Sequence, residues 1–206
     1  MSFVHNMDQF LARSADLPPE QTDLRKALTK LPQISPEGPW IAGGAIRRTL
    51  IAEPLETDFD YFFKDEWQLE AFTAHVTAQG LVKLRETEHH IHYRGKIGNE
   101  EKERDVQAIK IAFYENAAAV IDSFDFTICM FAFDGETLTS GEHALWDLGR
   151  KRLAVHKITY PTASVRRMLK YGKQGFTVCN GAIAELLRQT ANSPEALARL
   201  NIFYVD

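Results

Sequence analysis

Residues 40–63 constrain this chain more than any other stretch. They read Trp-Ile-Ala-Gly-Gly-Ala-Ile-Arg-Arg-Thr-Leu-Ile-Ala-Glu-Pro-Leu-Glu-Thr-Asp-Phe-Asp-Tyr-Phe-Phe, which spells strand, tight turn, short helix, loop, strand. The apolar run Trp40, Ile41, Ala42 stops at Gly43 and Gly44. Two glycines let the backbone turn sharply and approach a ligand with no Cβ in the way. Helical spacing follows over 45–51 and ends before Pro54. Backbone N–H groups at such a helix start can hold phosphate oxygens. Asp58 and Asp60 come next, and residues i and i+2 of a strand point to one face. Phe59, Tyr61 and Phe63 take the other face, towards a core.

Paired carboxylates beside a phosphate-holding turn suit divalent metals. Mg²⁺ prefers hard oxygen ligands and is usually shared between one or two carboxylates and substrate phosphates. Two such ions, ~4 Å apart, can activate an attacking hydroxyl and stabilise a leaving pyrophosphate. An Asp-x-Asp alone says little in a chain with 28 acidic residues. The ordered set is far more specific. Its bland counterpart is a plain β-turn-α-β unit with a solvated acidic strand start. Neither Gly-x-Gly-x-x-Gly nor Gly-Lys-Ser/Thr occurs, which excludes the Rossmann and P-loop readings.

These residues resemble the head of the nucleotidyltransferase superfamily, in the branch of bacterial tRNA CCA-adding enzymes and poly(A) polymerases. There a Gly-Gly-x-x-Arg-Asp turn precedes an Asp-x-Asp strand. Gly43, Gly44, Arg47, Asp58 and Asp60 match, while Arg48 stands where the family usually has Asp. The resemblance implies a third acidic residue at the start of a neighbouring strand, and Asp105 is the candidate. Its alternative role is a solvated strand-edge carboxylate. A second family motif, Arg-Arg-Asp-Phe-Thr-Ile-Asn-Ala, is matched by Asp125, Phe126, Thr127 and Ile128. Ser123 and Phe124 replace its arginines, and Cys129 replaces its asparagine. Basic helical residues before Gly175-Phe176 also fit. By resemblance Asp125, Arg167 and Lys170 would bind nucleotide, Gly43 and Gly44 would cradle the triphosphate, and Arg47 would support the turn or the phosphates. Asp125 could equally order its loop by hydrogen bonding. The family's base-selecting Glu-Asp-x-x-Arg element has no match near 159–163. The resemblance covers about residues 40–176.

The expected fold is α/β (α+β): a small mixed, twisted sheet with packed helices over 1–157, including N-terminal helices within 1–35. A short helical neck follows over 158–206. Helices are expected over 8–15, 21–31, 66–79, 163–173, 181–190 and 194–200. Strands are expected over 81–85, 89–94, 104–113 and 124–133. Leu69, Phe72 and Val76 should face inward from the helix over 66–79, and Val165, Met168 and Leu169 from that over 163–173. His90 and His92 share a strand face, with His89 opposite. No second cluster completes a zinc site, so these read as surface or strand histidines.

Charge locates a partner. The chain has net charge −4, yet residues 148–184 contain no acidic residue and eight Lys or Arg, leaving −12 for the rest. Within that block Arg166, Lys170 and Lys173 lie at i, i+4 and i+7 and share a helix face. Such asymmetry points to an anionic partner, its bland counterpart being a solvated basic face; with the resemblance it implies RNA contacted through these three residues. Cys129 and Cys179 form no ligand pattern and read as buried thiols in a reducing cytosol. No signal peptide or membrane span is evident, so the expected place is cytoplasmic.

The function implied is transfer of a nucleoside monophosphate from an NTP to an acceptor hydroxyl, most plausibly an RNA 3′ end, with Mg²⁺ or Mn²⁺ as cofactor. Asp58, Asp60 and Asp105 would be catalytic and metal-binding. Two alternatives stay open. One is a transferase of the same fold acting on a protein or small molecule; the other is a non-catalytic relic that binds RNA or protein.

Overall fold

The computed structural model describes residues 1–7, 34–96 and 102–192. The helices expected over 8–15, 21–31 and 194–200 lie outside them. Contacts divide the chain into two compact units, one of Met1–Asp122 with Cys129–Glu142, the other of Ser123–Ile128 with the chain from His143 onward. Residues 143–157, grouped with the head on sequence, share the second unit with the C-terminal helices.

The first unit carries the expected mixed sheet. Its strands are β1 (Ser2–Asn6), β2 (Trp40–Ala42), β3 (Phe59–Phe62), β4 (Val82–Glu86), β5 (His90–Lys96), β6 (Glu103–Ile109), β7 (Phe131–Phe133) and β8 (Thr137–Gly141). They lie in the order β1-β8-β7-β2-β3-β6-β5-β4. The β3–β6 pair is parallel, and the other pairs are antiparallel. β1 has no counterpart in the sequence reading; among the described residues it is an edge strand paired only with β8.

Among the described residues three helices accompany this sheet: α1 (Gly44–Leu50), α2 (Glu66–Ala78) and α3 (Ala117–Asp122). The Asp65 side chain caps α2 by accepting from the Gln68 backbone N–H at 2.8 Å, which satisfies an otherwise orphaned donor. Gly80, at φ 86°, follows the helix end, the left-handed position that favours glycine. Leu69, Phe72 and Val76 are buried as expected. Phe72 meets Tyr61 at 4.4 Å and Phe63 at 5.1 Å between ring centroids. α2 therefore covers the face of β3 opposite Asp58 and Asp60.

Tyr61 is fully buried, and among the described residues its hydroxyl meets no hydrogen-bond partner. Burial pushes its pKa well above the usual tyrosine value. A buried, unsatisfied hydroxyl costs stability. Tyr61→Phe should therefore raise unfolding stability by about 1 kcal/mol in a urea titration. A loss of similar size would show that the hydroxyl is bonded.

The second unit holds α4 (Ala144–Gly149), β9 (Arg152–Leu153), α5 (Pro161–Lys173), β10 (Thr177–Val178) and α6 (Asn180–Ala191), with β9 and β10 parallel. Two expectations fail here. The strand expected over 124–133 is confined to β7, because residues 127–129 form a 3₁₀ turn. Before that turn Phe126 pairs instead with Val155 in an isolated antiparallel bridge, and the Asp125 and Thr127 side chains bond to Ser164 and Asp147. On α5, Val165 is 40% and Leu169 64% exposed, whereas Ser164 and Tyr171 are buried. The buried stripe is set by polar and aromatic partners: Ser164 bonds to Asp125, and Tyr171 packs edge-on against Phe126 and Phe176. Cys129 is buried as expected, but Cys179 is exposed.

Candidate active site

Two glycines position the turn after β2. Gly43 has φ 82°, a conformation that disfavours any side chain. A Cβ on Gly44 would lie 3.2 Å from Thr57 Oγ1, so the backbone and the loop before β3 approach closely. The Gly43 N–H donates to the Phe131 carbonyl at 3.1 Å, and the Gly43 carbonyl accepts from the Arg47 N–H at 3.1 Å. Arg47 is buried, 3% exposed, on the first turns of α1. Arg48 instead donates to the Pro54 carbonyl and pairs with Glu53, fixing the loop that leads to β3.

Register then brings the carboxylates to that turn. Ala42 faces Asp60 across the antiparallel β2–β3 pair, so Gly43 and Gly44 leave β2 beside Phe59 and Asp58. Asp60 faces Gln107 of β6, and the Gln107 amide donates a short hydrogen bond to Asp58. Asp58 and Asp60 thus flank Gln107 on one face of the sheet, while Phe59 and Tyr61 are buried on the other. Both carboxylates are half-buried.

Asp105 also belongs to this face, two residues before Gln107 on β6. Its own bonds lead the other way. Asp105 Oδ1 accepts from His92 Nε2 at 2.8 Å and has Arg94 Nη1 at 4.0 Å. Both partners are on β5. Among the described residues no group of three or more His, Cys, Asp or Glu is placed to hold a metal ion. Asp58 and Asp60 are nevertheless a fitting donor set for Mg²⁺, which needs only one or two carboxylates when phosphates supply further oxygens.

Gln107 escaped the sequence reading, in which His92 is only a surface or strand histidine. Alternation placed His90 and His92 on one face, but only the pairing of β5 with β6 shows that this is the carboxylate face: His92 faces Gln107, and Arg94 faces Asp105. Burial, followed by the charges of His92 and Arg85, holds His90 below the usual imidazole pKa, with Asp58 opposing.

The remaining candidates lie in the second unit. Asp125 is 5% exposed. Its Oδ2 accepts from Ser164 Oγ at 2.9 Å and from Arg167 Nη1 at 2.7 Å, and its carbonyl accepts from the His156 N–H at 2.8 Å. Thr127 Oγ1 donates to buried Asp147 at 2.7 Å. Arg166, Lys170 and Lys173 are exposed on α5. No helix among the described residues is long and apolar enough to cross a membrane.

Comparison with known proteins gives two kinds of match. The family model described as "Gabija anti-defense 2 family protein" matches residues 19–151. "Gabija anti-defense 2" of Bacillus phage SPbetaL7 is 27% identical over 151 residues, 67% of this chain and 34% of that protein. Among solved structures, the Thermotoga maritima CCA-adding enzyme complexed with tRNA superposes with a TM-score of 0.59 at 17% identity, covering 97% of this chain and 48% of that one. A CCA-adding enzyme in complex with ATP gives the same values. A tRNA-processing enzyme complex matches 74% of this chain and 43% of its own at TM-score 0.51 and 22% identity. The fold is thus that of the CCA-adding nucleotidyltransferases, as the sequence motifs implied. The chain spans about a third of the phage relative and about half of the CCA-adding enzymes.

Proposed function

We propose that this chain, which belongs to the Gabija anti-defense 2 family, is a metal-dependent nucleotidyltransferase. The observation that carries the reading is the placement of Asp58 and Asp60 on one sheet face beside the Gly43–Gly44 turn. A turn of glycines offers backbone N–H groups to a triphosphate, and two hard carboxylates beside it match the ligand chemistry of Mg²⁺ or Mn²⁺.

In the reaction, an acceptor hydroxyl oxygen bonds to the α-phosphorus of an NTP. The bond from that phosphorus to the β-phosphate bridging oxygen breaks, pyrophosphate leaves, and the hydroxyl proton passes to solvent. A metal held by Asp58 and Asp60 would supply charge stabilisation and acidify the hydroxyl. The protein's own groups orient. Gln107 fixes the Asp58 carboxylate by its hydrogen bond. Gly43 and Gly44 bring backbone close to the phosphates, and buried Arg47 supports that turn.

The acceptor proposed is an RNA 3′ end. Support comes from exposed Arg166, Lys170 and Lys173 in the acid-free block and from the tRNA complex among the fold neighbours. The family description favours a second reading, in which the same chemistry modifies a protein belonging to the opposed defence. Incubating the protein with each α-labelled NTP, Mn²⁺ or Mg²⁺, and either total RNA or lysate of cells carrying that defence should label one fraction. Label in RNA supports the first acceptor, label in protein the second. No label in either, with any NTP, removes the transferase reading.

A further inference from the structure

Asp105 and Gln107 sit two residues apart on β6, between β3 on one side and β5 on the other. Their side chains take opposite partners. Gln107 bonds across to Asp58 beside β3. Asp105 bonds to His92 Nε2 at 2.8 Å on β5, and Arg94 Nη1 approaches the same oxygen at 4.0 Å. An ionised carboxylate only accepts, so the imidazole Nε2 carries the shared proton. Asp105 therefore leans away from Asp58 and Asp60. This agrees with the lack of any three-residue ligand group among the described residues.

We propose that His92 is a positioning residue that holds Asp105 out of the ion site, so that the site is a two-carboxylate one, Asp58 and Asp60, unless the His92–Asp105 bond is broken. The inference rests on the metal-dependent reading above. Neighbours that orient a carboxylate ligand change metal affinity by about 10- to 100-fold, and affinity rises with the number of charged ligands. Freeing Asp105 should therefore tighten binding, the reverse of what loss of a supportive neighbour does.

The test is a Mn²⁺ titration of the full chain followed by electron paramagnetic resonance, with no nucleotide present. His92→Ala should bind Mn²⁺ about tenfold more tightly than wild type. His92→Gln, which keeps an N–H donor without an imidazole, should stay at wild-type affinity. Asp105→Asn alone should change affinity less than about twofold, and Asp105→Asn in the His92→Ala background should restore the wild-type value. Unchanged or weaker binding in His92→Ala overturns the proposal, as does a tenfold loss in Asp105→Asn alone. Wild-type protein that binds no Mn²⁺ overturns the metal-dependent reading and this inference together. Binding that Asp58→Asn abolishes but His92→Ala leaves unaltered overturns the inference alone.

Discussion

Asp58→Ala combined with Asp60→Ala is expected to abolish nucleotidyl transfer, with a loss of about 10³-fold or more. The size follows from the role. Charge stabilisation through a bound metal is worth several kcal/mol in the transition state, and each 1.4 kcal/mol is about tenfold in rate. The fold should survive, because both side chains are half-buried on a polar face and take no part in the aromatic packing of Tyr61, Phe63 and Phe72. Gln107, half-buried as well, can turn its amide to water once Asp58 is gone. Removing two neighbouring like charges should leave the metal-free protein as stable as before or slightly more so. The assay is incorporation of labelled NMP alongside a denaturation curve. Full activity in the double variant would place the chemistry elsewhere on the chain.

The second large effect is on stability. Asp125→Ala is expected to cost on the order of 3 kcal/mol. Asp125 is 5% exposed and Ser164 1%, so truncation strands the Ser164 hydroxyl without its acceptor. Hydrogen bonds to a charged group are worth roughly 1.5–3 kcal/mol. The Arg167 contribution is smaller, since its side chain is 49% exposed and solvent screens it. Chemical denaturation measures the loss. Asp125→Asn, which keeps an acceptor oxygen, should cost less. A variant that is fully stable but weakened in NTP binding would instead give Asp125 the nucleotide-binding role that the motif suggested.

What the sequence made legible was local. Alternation of Asp58, Phe59, Asp60 and Tyr61, with two glycines at the preceding turn, defined the β2-α1-β3 unit without any partner strand. The inward face of α2 followed from Leu69, Phe72 and Val76 at helical spacing. What stayed hidden depended on long-range pairing. Nothing in residues 103–109 says that β6 lies between β3 and β5, so neither Gln107 beside Asp58 nor His92 beside Asp105 could be foreseen. The apolar run over 124–133 imitates one strand, but Phe126 pairs with distant Val155, residues 127–129 turn, and Phe131–Phe133 alone of the run forms a sheet strand. On α5 it is Ser164, bonded to Asp125, that is buried, while Leu169 faces water.

β1 has a consequence for the order in which this protein is made. Among the described residues its Ser2–Asn6 backbone pairs only with β8, and the His5 ring reaches Ser140, 135 residues along the chain. A ribosome adds about 5–20 residues each second, so the first strand waits on the order of ten seconds before its partner exists. Closure over so long a loop is entropically slow. During that wait the strand carries Phe3 and Val4, which remain 46% and 68% exposed even after pairing, and an unpaired backbone edge of the kind that recruits other chains. Slower translation should thus lengthen the time for which this strand is open to other chains.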